Sequence, residues 1–395
     1  MDREAKITEL LIRGVEDIFI RESLEKRLRD GAPLRIKLGI DPTGPAIHLG
    51  RAIPLRKLRA FQDLGHTAVL VVGDFTARIG DPSDKIAKRP MLSATDVKAH
   101  MKTYKKQLAK IIDITKAEVV YNSKWLSKLK FEEIAELAET FSVQQMTARR
   151  NFKDRIDRGE EISVREFLYP LMQGYDSVAI NADVEIGGFD QLFNLKAGRV
   201  VQRHYKKPEQ DVLTTQMLEG TDGQKMSTSQ GNVIAITDAP DDMYGKIMSI
   251  RDELITKYFL LCTDTPESEI EKIKNELSSG ANPRDIKLRL AEEIVRIYHG
   301  DSKAKRAAKN FIKTFAKGGI PDDVTEVSVT NGTRLDDILL NNKLVESKSD
   351  FRRLLDGNAI EIMDTKTKIS DPHFVVTESG TFKVGKRRFI KITAK

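Results

Sequence analysis

Residues 34–51 read LRIKLGIDPTGPAIHLGR, and this stretch decides the fold that we expect. The apolar, β-branched run at 36–40 predicts a buried strand. Two prolines and a glycine at 42–45 predict a tight loop, and the residues from His48 to about Leu64 predict a helix. A loop that leads from a strand into a helix N-terminus favours anion binding, because the first backbone N–H groups of a helix lack intrahelical partners.

Working outward, the next segments predict a parallel sheet. Residues 67–72 read TAVLVV and indicate a second buried strand, and the strand–helix–strand order is typical of a parallel α/β arrangement. Shorter strands are expected at 117–121 and 184–188. Ligands of such sheets bind beyond the carboxyl ends of the strands. We therefore predict an α/β fold with a Rossmann-like, parallel-sheet catalytic domain.

The remaining segments predict additional units. Residues 3–30 have the apolar spacing of an amphipathic helix or helix pair. After Pro240 the composition becomes helical, with helices expected at 243–261, 267–277, 285–298 and 302–316. A linker is expected from Gly318 to about Gly332. We predict domains at 1–233, with an insertion at about 126–165 and a mobile loop at 221–232, then an all-helical domain at 234–320, and a small α+β domain at 333–395.

Composition narrows the class of protein. The net charge of +7 favours a polyanionic partner, although an ordinary basic surface would give the same value. The tail at 333–395 contains thirteen Lys and Arg against nine Asp and Glu, which favours an RNA-binding module. A single cysteine excludes internal disulfides and thiolate metal clusters. We expect a cytoplasmic protein without a membrane span or signal peptide, since the chain has no long apolar run.

Several polar residues could be functional or merely structural. Tyr169, Gln173 and Asp176 have the spacing of one helix face, which indicates either a binding surface or a solvated stripe. Asp190 could cap a helix or accept a hydrogen bond from a ribose hydroxyl. Lys85 could contact a phosphate or lie on a solvated loop.

Six sequence blocks carry a resemblance to a known family. They are IDPT at 40–43, IHLG at 47–50, GDP at 80–82, the Tyr169…Gln173…Asp176 face, GGFDQ at 187–191 and KMSTS at 225–229. In this order and spacing the chain resembles bacterial tyrosyl-tRNA synthetases, which are class I aminoacyl-tRNA synthetases, over nearly its whole length. The tail resembles the small RNA-binding domain that those enzymes share with a ribosomal small-subunit protein.

The resemblance implies a two-step reaction in which tyrosine is activated by ATP and then transferred to the 3′ end of tRNA(Tyr). ATP with magnesium would be a substrate, and no protein-bound metal is expected. A homodimer is implied, with residues 126–165 as its surface. The helical domain would contact tRNA.

The resemblance also implies roles for individual residues. The catalytic set would be Thr43, His48, Lys85, Arg89 and Lys225. The ATP-binding set would be Gly50, Arg51, Gly188, Asp190, Gln191, Lys225 and Thr228. The tyrosine-binding set would be Gly39, Asp41, Thr76, Asp81, Tyr169, Gln173 and Asp176, in which Asp176 accepts a hydrogen bond from the substrate phenol.

Four positions depart from the family pattern, one of which is Asp84, where the family usually has a glycine beside Lys85. Arg51 stands where the family usually has a second histidine, and Thr228 stands where it usually has a second loop lysine. Lys37 occupies the position that often supplies a tyrosine as second partner of the phenol. Two alternatives stay open: a tryptophan-activating relative, and a catalytically inactive RNA-binding paralogue.

Overall fold

The strand predicted within residues 34–51 lies in the middle of a six-stranded sheet. In the computed structural model, which describes residues 2–82, 92–316, 324–385 and 388–395, this sheet has the strand order β1-β6-β5-β2-β3-β4. All neighbours pair in parallel except β1, which is antiparallel to β6. The strands are β1 Val15–Phe19, β2 Arg35–Ile40, β3 Thr67–Val72, β4 Glu118–Tyr121, β5 Val184–Gly188 and β6 Asp211–Thr215.

Helices cover this sheet and connect its parallel strands. The helix α3 follows β2 and buries its apolar face, as the sequence predicted. A capping box between Ser163 and Glu166 begins the helix that carries the predicted polar face. The helices that precede residue 237 are α1 Arg3–Ile12, α2 Arg21–Asp30, α3 Leu49–Asp63, α4 Thr76–Ile79, α5 Ala94–Leu108, α6 Ser123–Leu126, α7 Phe131–Ala138, α8 Val143–Thr147, α9 Arg150–Asp157, α10 Val164–Ile180 and α11 Leu192–His204.

The prediction of a helix or helix pair over residues 3–30 was wrong at Val15–Phe19, which form a strand. Between α1 and α2 the chain forms β1, which begins after Gly14 at a positive φ of 63°. This strand pairs with β6, which is buried along its whole length and was not predicted. The pairing partner lies about 200 residues away in the sequence, so a local apolar pattern cannot indicate it.

The chain divides into two units, and their boundary differs from the predicted one. The first unit comprises Met1–Thr237 and Ile250–Pro283, and the second comprises Asp238–Ser249 and Arg284–Lys395. The predicted helical domain at 234–320 is therefore divided between them. The helix predicted at 243–261 is also divided, because α12 ends at Met248. The helices after residue 237 are α12 Pro240–Met248, α13 Ile255–Cys262, α14 Glu267–Ser278, α15 Pro283–His299 and α16 Asp301–Ala316.

Two partly buried arginines explain why α13 belongs to the first unit. The guanidinium of Arg13 donates to the carbonyl oxygens of Leu260 at 3.1 Å and Thr265 at 2.7 Å, which lie at and just beyond the end of α13. From α3, Arg56 donates to the carbonyl oxygen of Thr263 at 2.7 Å. These bonds satisfy carbonyls that a helix C-terminus leaves without intrahelical partners.

The tail forms a small α+β structure with its own core. Its helices α17 Leu335–Asn341 and α18 Lys348–Asp356 lie where the sequence predicted them. One sheet has the order β10-β9-β12-β13-β7, so the strand Thr325–Val329 belongs to it although the sequence predicted a linker there. The strands are β7 Thr325–Val329, β8 Thr333–Arg334, β9 Ile360–Ile362, β10 Thr367–Lys368, β11 Val375–Val376, β12 Gly380–Val384 and β13 Arg388–Ala394.

No helix in the described ranges is long and apolar enough to cross a membrane.

Candidate active site

A cavity of about 470 Å³ opens at the carboxyl ends of the parallel strands, where the topology predicts ligand binding. The structure brings together there every predicted site residue that it describes. They are Gly39, Asp41, Thr43, His48, Gly50, Arg51, Thr76, Asp81, Tyr169, Gln173, Asp176, Gly188, Asp190, Gln191, Lys225 and Thr228. The predicted phosphate contacts Lys85 and Arg89 lie outside the described residues.

His48 is the N-cap of α3 and is neutral. Its Nδ1 accepts from the backbone N–H of Arg51 at 3.4 Å, and only 6% of the residue is exposed. Burial, together with the nearby charges of Arg51 and Lys225, lowers the pKa of His48 to about 3. Because Nδ1 is an acceptor, the ring proton lies on Nε2, which can donate to an anion in the cavity.

Arg51 lies beside His48 and is held on two sides. Its Nη2 donates to Thr43 Oγ1 at 2.7 Å, and its Nη1 donates to the hydroxyl of Tyr104 at 3.3 Å. The guanidinium is therefore directed along the loop that precedes α3. Such a planar donor group suits a phosphate ligand, which it can bind with two hydrogen bonds.

The predicted mobile loop at 221–232 lies against this helix start. The backbone N–H of Gly50 contacts Met226 Sδ at 3.4 Å, and the backbone N–H of Leu49 donates to the carbonyl oxygen of Ile234 at 2.9 Å. Lys225 forms an ion pair with Asp190, with 2.8 Å between Nζ and Oδ2. The loop cation and the carboxylate after β5 are thus adjacent in the lining of the cavity.

Asp41 anchors a second group of polar residues at the end of β2. Its two oxygens accept from Thr76 Oγ1 at 2.7 Å and from the hydroxyl of Tyr169 at 2.8 Å. Burial raises the pKa of Asp41 to about 6 despite these two donors. Gly73 makes the cluster possible, because a Cβ there would lie 1.9 Å from Asp41 Oδ1 and 2.3 Å from Thr76 Oγ1.

Asp176 is buried deeper in the cavity and has two donors that the sequence analysis missed. Trp125 Nε1 donates to Oδ1 at 2.8 Å, and Asn122 Nδ2 donates to Oδ2 at 3.3 Å. Burial raises the pKa of Asp176 to about 7 against the effects of these donors and of Lys37. Asn122 directly follows β4, and its position at the carboxyl end of a parallel strand could have indicated from the sequence that it is a site residue.

Asp81 and Asp190 complete the polar lining near β5. Asp81 accepts from Gln191 Nε2 at 2.7 Å and from Asn194 Nδ2 at 3.3 Å. Gly188 ends β5, and a Cβ there would lie 2.6 Å from Asp190 Oδ1. A side chain at position 188 would therefore displace the Asp190 carboxylate from the cavity.

Lys37 does not line the cavity as a replacement for the expected tyrosine. It is fully buried behind the α10 face and pairs with Glu185 at 2.9 Å. In the described part of the chain, no cluster of three or more His, Cys, Asp or Glu side chains could hold a metal ion.

Comparisons with known proteins identify the fold and the family. The family model of the class I tRNA synthetases (W and Y) matches residues 29–316. The Archaeoglobus fulgidus tyrosyl-tRNA synthetase complexed with L-tyrosine has a similar fold, with a TM-score of 0.62 at 20% identity; the match covers 78% of this chain and 100% of that chain. A truncated mitochondrial tyrosyl-tRNA synthetase of Aspergillus nidulans gives a TM-score of 0.64 at 24% identity and covers 78% and 94%. The fold is that of a class I aminoacyl-tRNA synthetase, and the chain belongs to that family.

Curated relatives define the family more narrowly. The tyrosine–tRNA ligase of Thermotoga maritima is 46% identical over 97% of this chain and 96% of that protein. The tyrosine–tRNA ligase of Carboxydothermus hydrogenoformans is 44% identical over 99% of this chain and 98% of that protein. The chain belongs to the tyrosine–tRNA ligase family, which confirms the resemblance stated from its motifs.

Proposed function

We propose that this chain activates tyrosine with ATP and transfers the tyrosyl group to the 3′ end of tRNA(Tyr). One observation carries the proposal. The same cavity is lined by a buried carboxylate, Asp176, and by the start of a helix whose side chains His48 and Arg51 can donate hydrogen bonds to phosphate. Charging of tRNA(Tyr) with labelled tyrosine tests it. We expect ATP-dependent incorporation, and its absence with pure, folded protein would refute the proposal.

In the first step, a carboxylate oxygen of tyrosine attacks the α-phosphate of ATP and pyrophosphate leaves. The protein's task is to position the reactants and to stabilise charge on the five-coordinate phosphorus. Thr43 and His48 donate to the departing pyrophosphate, and Lys225 moves from Asp190 to the same group. Lys85 and Arg89 add positive charge, and magnesium enters with ATP as part of the substrate.

The rest of the cavity binds the organic parts of the substrates. The ATP ribose binds Asp190 and Gln191, which frees Lys225 for the phosphates. The ammonium of tyrosine binds Asp81, Tyr169 and Gln173. Asp41 and Thr76 support this group, and Asp176 accepts the hydrogen bond of the phenol. A buried acceptor favours a hydroxylated ring, because phenylalanine would leave it without a donor.

Tyrosine affinity is expected to rise with pH and then level off. Below pH 6 to 7, Asp41 and Asp176 are protonated in the free protein, because their pKa values are about 6 and about 7. The ammonium and the phenol favour the ionised carboxylates, so binding releases protons and weakens as pH falls. We expect an increase of about tenfold between pH 6 and pH 8 from a pKa near 7.

Equilibrium binding of tyrosine between pH 5 and 8 measures this dependence. The control is Asp176→Asn, which should bind more weakly but lose the component near pH 7 and keep the one near pH 6. Equal pH profiles for the wild-type protein and the variant would contradict the assignment.

The insertion at 126–165 is our proposed homodimer surface. It exposes large apolar side chains to solvent, with Phe131 88%, Val143 65%, Ile156 48% and Val164 74% exposed. Exposed apolar side chains of this size are typical of protein interfaces. Sedimentation equilibrium should give twice the chain mass, and a monomer at micromolar concentration would refute this part of the proposal.

We further propose that the tail binds tRNA and that the enzyme works in the cytoplasm, where its substrates are. The tail has a separate apolar core formed by residues between 327 and 394, so truncation after residue 323 removes a complete structure. The truncated chain should form tyrosyl-adenylate normally but charge tRNA more slowly. The deficit should be largest at low salt, because lost phosphate contacts matter most there. A deficit that is independent of salt would contradict an electrostatic role.

A further inference from the structure

A buried ion pair lies directly behind the tyrosine site. Lys37 on β2 and Glu185 on β5 are opposite each other in the parallel register, and both are 0% exposed. The ammonium of Lys37 contacts Glu185 Oε1 at 2.9 Å, the carbonyl oxygen of Gln173 at 2.6 Å and Ser177 Oγ at 2.7 Å. Its three N–H donors therefore all have acceptors, and two of these acceptors lie on α10.

The Glu185 carboxylate likewise has three hydrogen-bond donors. It accepts from Gln173 Nε2 at 3.0 Å, from Ser177 Oγ at 3.2 Å and from Gln210 Nε2. Because a carboxylate oxygen accepts and the amide nitrogen donates, this contact turns the nitrogen end of the Gln173 amide toward Glu185. Gln173 lines the cavity, and its amide oxygen is then the end of the side chain that is left for a ligand.

From this geometry we propose that Glu185, held by Lys37, is a positioning residue for the α-ammonium of the amino-acid substrate. The inference rests on the proposed function, since it assumes that Gln173 faces that ammonium. Glu185 fixes the Gln173 amide with its oxygen toward the cavity. The reversed amide would present an N–H group to a cation, and the attraction would become a repulsion.

Lys37 allows the Glu185 carboxylate to be buried. A lone carboxylate at a fully buried position would be strongly destabilised or protonated. The ion pair with Lys37, at 2.9 Å, offsets the cost of burying the Glu185 carboxylate, which accepts from the Gln173 amide at 3.0 Å and so holds it in one orientation.

Glu185→Gln tests the proposal, because a neutral amide at this position can donate as well as accept and no longer fixes the orientation of Gln173. Calorimetric titration without ATP would compare tyrosine with 3-(4-hydroxyphenyl)propanoate, which lacks only the amino group. We expect tyrosine to bind about tenfold more weakly, the effect of one hydrogen bond to a charged group, and the analogue to bind within about twofold of the wild-type value. An equal loss for both ligands, or no loss for either, would overturn the proposal.

A matched control is Glu166→Gln, which neutralises a different buried carboxylate, one on α10 that pairs with Arg155 at 2.5 Å. Glu166→Gln should change the affinities for tyrosine and for the analogue by the same factor. If Glu185→Gln does not fold, the double variant Lys37→Met with Glu185→Gln removes both charges together and should give the same ammonium-specific loss; an unselective effect would again overturn the proposal. Wild-type protein that does not bind tyrosine would instead refute the proposed function itself.

Discussion

Replacing His48 by alanine is expected to slow tyrosyl-adenylate formation by about 100-fold or more, the effect of losing one preorganised donor to transition-state charge. Tyrosine affinity should change by less than about twofold, because the Nε2–H group faces the phosphates and its hydrogen bond strengthens only as pyrophosphate departs. Rapid-quench measurement of adenylate formation, with a separate tyrosine titration, distinguishes the two effects.

His48 is also a helix cap, so the variant needs a control. Loss of the acceptor for Arg51 N is expected to cost about 1 kcal/mol of the free energy of unfolding. His66→Ala removes another buried histidine, one whose Nδ1 accepts from Leu34 N outside the cavity lining. It should destabilise the fold without slowing activation. A large loss of tyrosine affinity in His48→Ala would contradict the assigned role.

Replacing Asp176 by alanine is expected to reduce the preference for tyrosine over phenylalanine by roughly 2 kcal/mol, which is about 30-fold in the ratio of kcat/KM. The wild-type site leaves a buried carboxylate without its substrate donor when phenylalanine binds, and the variant removes that penalty. Pyrophosphate exchange with each of the two amino acids measures the ratio.

The control for Asp176 is a carboxylate that supports the same region from outside the cavity. Asp74 accepts from the Ser123 backbone N–H at 2.9 Å and from its hydroxyl at 2.6 Å, and so holds the segment that carries Asn122 and Trp125. Asp74→Ala should lower stability and leave the preference nearly unchanged. If it lowered the preference as much as Asp176→Ala does, a direct contact between Asp176 and the phenol would be contradicted.

The structure shows what two of the residues that depart from the family pattern contact. Arg51 does more than replace a histidine, because its longer side chain reaches Thr43 and Tyr104 at the same time. Lys37 cannot act as a phenol, and the structure instead pairs it with Glu185. Trp125 and Asn122 are the described donors to Asp176.

Local patterns predicted the elements that build the site. The strands at 67–72 and 184–188 and the α10 face were correct because each is encoded by apolar runs or helical spacing within one segment. The strands β1 and β6 escaped prediction because each is stabilised by a partner distant in sequence. The roles of Trp125 and Glu185 were not predicted for the same reason, because each residue acts on the site only through its contact with a side chain on α10.

The extent of the helical region could not be predicted from composition either. The helices α13 and α14 resemble those that follow them in sequence, but Arg13 and Arg56 bind the carbonyl groups at and beyond the end of α13 and place it with the sheet. Such side-chain to backbone bonds leave no periodic signal in the sequence.

ATP–pyrophosphate exchange by the purified full-length chain, measured with each of the twenty amino acids, tests the proposed activity most directly. We expect rapid exchange with tyrosine, far weaker exchange with phenylalanine and none above background with tryptophan. Exchange driven by tryptophan and not by tyrosine would contradict the proposal, and so would the absence of exchange in a protein that still binds structured RNA.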